Sequence, residues 1–303
     1  MQVVRRFRDI SDRVRPRLTS LRQRLDAVDP RLAIALSIAV LLVPLVFVLV
    51  VPHPLEQPLG VDFDLYRDVT IRWLHGGTYF EPYQVAGPYE IRAGDVLYPP
   101  VALWLFGPFA VAGTAGLPGF ALAVAWWVIP IAITAIAVVR LRPRAWTWLV
   151  IAFCVANPTT LLKIWTGNPV MWSMAAMSLA VVGSSRFAAP FVLLKPSLAP
   201  FALFGIRRRS WWVGAAVLVA LSLPFGALWA DWVGSVANSR GGGLLYSALE
   251  IPMLVLPLVA WVGRTRGGQP VAAAVAPHLP AVGDDAGAIV VTSRGGRRPP
   301  GGA

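Results

Sequence analysis

The sequence predicts an all-α, polytopic membrane protein, and three observations carry that prediction. Of its 303 residues 56% are hydrophobic and only 14% charged, against about 25% charge in ordinary soluble domains. The apolar residues gather in long runs with almost no charge inside them. The positive charges (27 Lys+Arg against 15 Asp+Glu, net +12) fall in short clusters between those runs, as the positive-inside rule requires of cytoplasmic loops. The same composition excludes a disordered chain and a disulfide-stapled module. The charge belongs to a membrane surface, and no nucleic-acid partner is expected.

From the N-terminus, residues 1–31 hold nine arginines against four aspartates. They lack the short apolar core of a cleaved signal and read as a cytoplasmic arm on anionic lipid. The uncharged run Leu32–Val51 is long enough for one crossing of roughly 30 Å. The polar segment Pro52–Leu97 carries seven acids and three arginines and is placed outside.

The later runs are Tyr98–Ala112, Ala121–Val139, Trp146–Ala156, Pro169–Val182, Phe187–Ile206, Trp211–Trp229 and Leu244–Val262. If each crossed once, the cluster Arg140, Arg142 and Arg144 would fall outside. Two breaks correct this. Tyr98–Ala112 is short and interrupted by Gly107-Pro108, so it reads as interfacial or re-entrant. Phe187–Ile206 is broken at Lys195-Pro196, and a lysine at mid-bilayer is costly. It reads as two short helices meeting at an outer-face turn. About eight crossings result, with both termini cytoplasmic, a membrane domain over 32–266 whose outer loop is 52–97, and a Gly/Pro/Arg-rich tail over 267–303 expected to be disordered.

The residues able to carry chemistry collect in the outer parts. In Asp62-Phe63-Asp64-Leu65-Tyr66, a helical wheel puts Asp62 on one stripe with Leu65, Tyr66, Val69 and Trp73. A carboxylate heading an apolar face suits a general base, and also a helix N-cap. Asp62 and Asp64 diverge by about 200° on a helix, so they share a metal only if the chain there is extended. His53, His75 and His278 have no ligand-type partner at helical spacing, and the lone Cys154 forms neither an internal disulfide nor a metal site. No nucleotide, phosphate-loop or serine-nucleophile motif occurs. No cofactor is expected. The two lysines, Lys163 and Lys195, stand at outer helix ends, where they would hold a lipid-linked phosphate or simply snorkel. Asn168 would bind a hydroxyl or cap the helix it precedes.

Taken together, Asp62-Phe63-x-x-Tyr66, Gly77-Thr78-Tyr79, Pro82-Tyr83, Tyr98-Pro99-Pro100, Gly167-Asn168 and Leu194-Lys195-Pro196 resemble glycosyltransferase family 87. These are polyprenyl-phosphate-mannose-dependent mannosyltransferases of the GT-C superfamily. The resemblance spans about residues 32–265, departing at Gly167-Asn168-Pro169-Val170, where members carry a second amide. It implies a GT-C-like fold in the cell membrane and Asp62 as catalytic base. It further implies that Tyr98, Asn168 and Lys195 line a cavity for the donor phosphate and a lipid or glycan acceptor. Asp64, Tyr66, Lys163 and Arg240 are the further substrate-binding candidates. The expected activity is inverting transfer of a mannose-like sugar from a polyprenyl phosphate. A transporter or flippase, and a catalytically silent scaffold, are the alternatives from other classes. A transporter calls for polar residues within several spans and symmetric broken helices, and neither is evident.

Overall fold

A computed structural model describes residues 20, 28–50, 57–92, 94–116, 118–240 and 248–265. The basic arm, apart from Ser20 and the residues from Val28 on, and the 267–303 tail lie outside them. About three quarters of the described residues are helical, and their only sheet pairs two strands of two residues each.

Helix α1 (Pro30–Val50) packs along α6 (Ala145–Ala156), while α5 (Gly119–Leu141) packs along α8 (Val170–Val182). Helix α12 (Ile251–Val262) lies against both α6 and α8. Among the described residues, two helices are long and apolar enough to cross a membrane alone: α5, and the continuous Arg209–Asn238 stretch. Helices α6 and α7 (Pro158–Thr166) become a third if their 58° bend is a broken span. The remaining apolar helices are shorter. Helix α8, at 13 residues, rises about 20 Å against a hydrocarbon core of about 30 Å. The expected eight full-length crossings are therefore not reproduced by helix length. Pro and Gly punctuation ends these runs early.

Two stretches depart from the sequence expectation in detail. Phe187–Ile206 is a chain of short pieces, the 3₁₀ turns Ala189–Leu194 and Pro196–Leu198 and the single turn α9 (Ala199–Ala202), folded at Lys195. Its two ends meet, since the Arg186 N–H donates to Ser210 Oγ at 3.0 Å. The run expected at Trp211–Trp229 is α10 (Arg209–Ser222), a 3₁₀ turn at Leu223–Phe225, and α11 (Gly226–Asn238).

Helix α11 packs on α3 (Pro82–Ala86) of the predicted outer segment. The fully buried Gln84 ties them, its amide donating to Ser235 Oγ at 3.4 Å and to the Val96 carbonyl at 3.3 Å. Within the segment the Tyr83 hydroxyl donates to Asp95. That hydrogen bond to a carboxylate, more than burial, pushes the phenol pKa up to about 12.

The chain polarises the bundle. Helix α8 lies between Asn168 and Arg186, α12 between Glu250 and Arg264, and α6 follows Arg144 and leads to α7, which carries Lys163 and Thr166. The Arg142 carbonyl accepts from Thr265 N at 3.1 Å, and Arg144 N donates to Gly263 at 3.0 Å. The arginine-rich loops thus share one end, and the candidate chemical residues collect at the other.

Candidate functional site

The site begins with a glycine. Gly60 adopts φ +78°, a left-handed conformation that favours glycine, and its N–H donates to the Trp165 carbonyl at 3.0 Å. Trp165 in turn donates to the Gln57 carbonyl at 2.9 Å. These bonds fix the start of α2 (Val61–Leu74) against α7. Helix α2 has Gly60, not Asp62, as its N-cap, with no side-chain cap. The N-cap reading of Asp62 is therefore corrected. The buried positions of α2 are Phe63, Tyr66, Val69 and Thr70; Tyr66 and Val69 belong to the predicted stripe, whose Leu65 and Trp73 pack half-buried on the core. Phe63 drives this phase, with ring centroids 5.4 Å from Trp126 and 5.7 Å from Trp127.

Freed from capping, the Asp62 carboxylate reaches across to α7 and α8. Its Oδ2 accepts from Thr166 Oγ1 at 2.8 Å and from Asn168 Nδ2 at 2.7 Å. Its Oδ1 makes no hydrogen bond within the described residues. Asn168 is the hub of this group. Its own Oδ1 accepts from the Tyr98 hydroxyl at 3.0 Å and from Val170 N at 3.1 Å, so it both holds the first N–H of α8, whose N-cap is Pro169, and orients Asp62.

Between the two Asp62 partners stands Gly167, at φ +71°. Its N–H bonds to Ile164 and that of Asn168 to Lys163, the paired bonds that close a helix C-terminus through a left-handed residue. A Cβ there would sit 2.6 Å from the Trp127 ring. Trp126 and Trp127 donate to the Gly167 and Ile164 carbonyls at 2.7 and 2.5 Å. Two indoles thus lock the corner that presents Thr166 and Asn168.

The lysines do not snorkel. Lys163, buried, and Lys195, half-buried, gather around Glu250, which is fully buried at the start of α12. Lys163 Nζ stands 3.5 Å from Glu250 Oε1, and Lys195 Nζ donates to Oε1 at 2.5 Å while also pairing with Oε2. Lys195 also lies 5.6 Å from the centre of the Tyr98 ring. Burying such charges unpaired would cost on the order of several kcal/mol each, and Glu250, one carboxylate facing two cations, offsets part of that cost.

Of the candidates named from sequence, Asp62, Tyr98, Asn168, Lys195 and Lys163 come together here. Tyr66 joins through its ring, buried edge-on to Tyr98 at 5.1 Å. Asp64 is exposed and pairs with Arg67 at 3.0 Å, turned away from Asp62. Arg240 is exposed in the two-residue strand Ser239–Arg240, in register with Glu90, and no contact joins it to the lysines. Thr166 and Glu250 were not singled out from sequence. The position of Thr166, next to Gly167-Asn168, was the signal available for the first. Glu250 offered only its place as the one charged residue inside the last apolar run, Leu244–Val262. No group of three His, Cys, Asp or Glu residues able to hold a metal occurs among the described residues. Compared with known proteins, the chain matches no family model, no curated protein and no solved structure.

Proposed function

We propose that this chain is an inverting glycosyltransferase of GT-C type, with about eight crossings of the cell membrane and both termini cytoplasmic. It would move a mannose-like sugar from a polyprenyl phosphate to a lipid or glycan acceptor on the outer face. The single observation that carries the reading is the asymmetry at Asp62. Oδ2 is anchored by Thr166 and Asn168 while Oδ1 has no hydrogen bond within the described residues. A carboxylate oriented through one oxygen and open at the other is built to accept a proton.

In the reaction, Oδ1 takes the proton of the acceptor hydroxyl as that oxygen attacks the anomeric carbon. The bond from that carbon to the phosphate oxygen breaks, and its electron pair leaves with the phosphate, inverting the anomeric centre. In this reading Lys195 and Lys163 supply the cations that the departing charge needs. Glu250 now holds both, so the donor phosphate competes with Glu250 for them. The leaving group stays in the bilayer, which accounts for a catalytic group placed at one end of an apolar bundle.

One observation favours a transporter instead: Glu250 is a fully buried carboxylate between two lysines, and charges inside membrane bundles often mark ion or substrate paths. Purified protein supplied with radiolabelled polyprenyl-phosphate sugars and a lipid acceptor extract separates the two. The glycosyltransferase reading expects labelled product. Vesicle uptake or lipid flipping without product would support the transporter.

A further inference from the structure

At the end of the bundle away from Asp62, two guanidinium groups share one aromatic ring, and a third arginine stands on the turn that closes on them. Arg186 follows α8, Arg208 precedes α10 and Arg264 follows α12. Arg186 lies over the Phe204 ring at 4.7 Å and 6.0 Å from the centre of the Trp261 ring, and Arg264 covers that same ring at 4.5 Å. The turn leading to Arg208 closes directly on Arg186. Gly205 sits there at φ +84°, where a Cβ would fall 2.3 Å from Arg186 Cγ. Burial first, and then the charges of Arg208 and Arg264, draw the Arg186 pKa below its ordinary value.

Like charges held this close repel, and no carboxylate among the described residues pairs with any of the three. Their protein contacts position them without neutralising them. Arg186 Nη1 donates to the Ala180 and Gly183 carbonyls, and Arg264 Nη1 to the Trp261 carbonyl. Capping explains a cation at the end of α8 or α12. It does not explain Arg208, which stands at the start of α10, where the helix dipole disfavours positive charge. The Nε and Nη2 donors of Arg186 make no hydrogen bond within the described residues. Exposed apolar side chains, Leu203, Ile206, Trp212 and Val262, flank the three in sequence.

We propose that Arg186, Arg208 and Arg264 form a binding site for a phosphate group. Arginine's planar fork suits phosphate oxygens, and the apolar flanks suit the acyl chains of an anionic lipid. Free phosphate shares the headgroup's chemistry, so the test includes both. This site is independent of the reaction assigned to Asp62.

The test uses the full-length protein in detergent and native mass spectrometry, with phosphatidic acid, phosphatidylcholine and inorganic phosphate as separate probes. Arg208→Gln and Arg264→Gln are the informative variants, because Arg186 also caps α8 and its loss acts on folding. The site predicts that phosphatidic acid is retained over phosphatidylcholine, and that each variant lowers its retention about tenfold, the scale of one charge-assisted hydrogen bond. Retention of inorganic phosphate without the lipid, lost in the same variants, identifies the free ion as the ligand. Equal retention of every probe by wild-type and variant protein overturns the proposal.

Discussion

Asn168 donates its amide to Asp62 at 2.7 Å while Tyr98 donates its hydroxyl to the Asn168 carbonyl at 3.0 Å. The orientation of the carboxylate on α2 is thus set by a residue 106 positions later in the chain. Asn168→Leu removes one of two anchors on Oδ2 and leaves the Tyr98 hydroxyl without its acceptor. It should cut the sugar-transfer rate by about 10- to 100-fold, an effect larger than that of Thr166→Val, since misplacement of a catalytic group is costly. Equal rates in the Asn168 variant and wild type would remove Asn168 from the machinery.

Gly167→Ala tests the corner itself. The left-handed backbone and the Trp127 ring both oppose a Cβ, so the substitution should destabilise the protein by about 1–3 kcal/mol, read as a lowered unfolding temperature in detergent. The transfer rate should fall with it, because Thr166 and Asn168 flank the glycine. An unchanged unfolding temperature would mean that the corner is not locked.

Glu250 is the residue whose loss should cost most. Glu250→Gln leaves Lys163 and Lys195 buried without their carboxylate, and breaking a buried pair typically costs about 3–5 kcal/mol. Lys195→Met alone leaves Glu250 its contact with Lys163 and should be milder. The double variant should be more stable than the sum of the two single losses, because it removes an ion from each side. Strict additivity in thermal unfolding would show that Lys195 and Glu250 are not coupled.

The sidedness of the bundle is open to chemical labelling. Cysteines placed at Arg142, Arg208 and Arg264, after replacement of the buried Cys154, should behave as one group, since the backbone joins 142 to 265 and Arg186 lies near both Arg208 and Arg264. All three should resist a membrane-impermeant thiol reagent in intact cells, while a cysteine at Glu90 reacts. Labelling of Arg142 but not Arg264 from outside would contradict the shared end.

Apolar runs and arginine clusters made the helical class and the polarity of the bundle legible in the sequence. The Asp62, Tyr98 and Asn168 motifs identified side chains that do meet. On α2 the stripe of Tyr66 and Val69 was legible, but the burial of Phe63 was not, because it is drawn into the Trp126–Trp127 box by residues far along the chain. The burial of the lysines was hidden for a related reason. Their partner Glu250 lies 55 residues beyond Lys195, and nothing local to either lysine announces a carboxylate. Helix α7 (Pro158–Thr166) also escaped the hydropathy pattern, whose run stops at Ala156, where the backbone bends by 58° before Pro158.

The central claim is that Asp62 accepts the proton, and Asp62→Asn tests it most directly. The amide keeps the size of the side chain and an oxygen able to accept from Thr166 and Asn168, but loses its basicity. With a radiolabelled polyprenyl-phosphate sugar as donor, the purified variant should fold normally and transfer sugar about two to four orders of magnitude more slowly than wild type. Asp64→Asn, exposed and paired with Arg67, should cost much less. Near-normal transfer by Asp62→Asn together with its loss in Asp64→Asn would contradict the account and move the base to the other face of the helix.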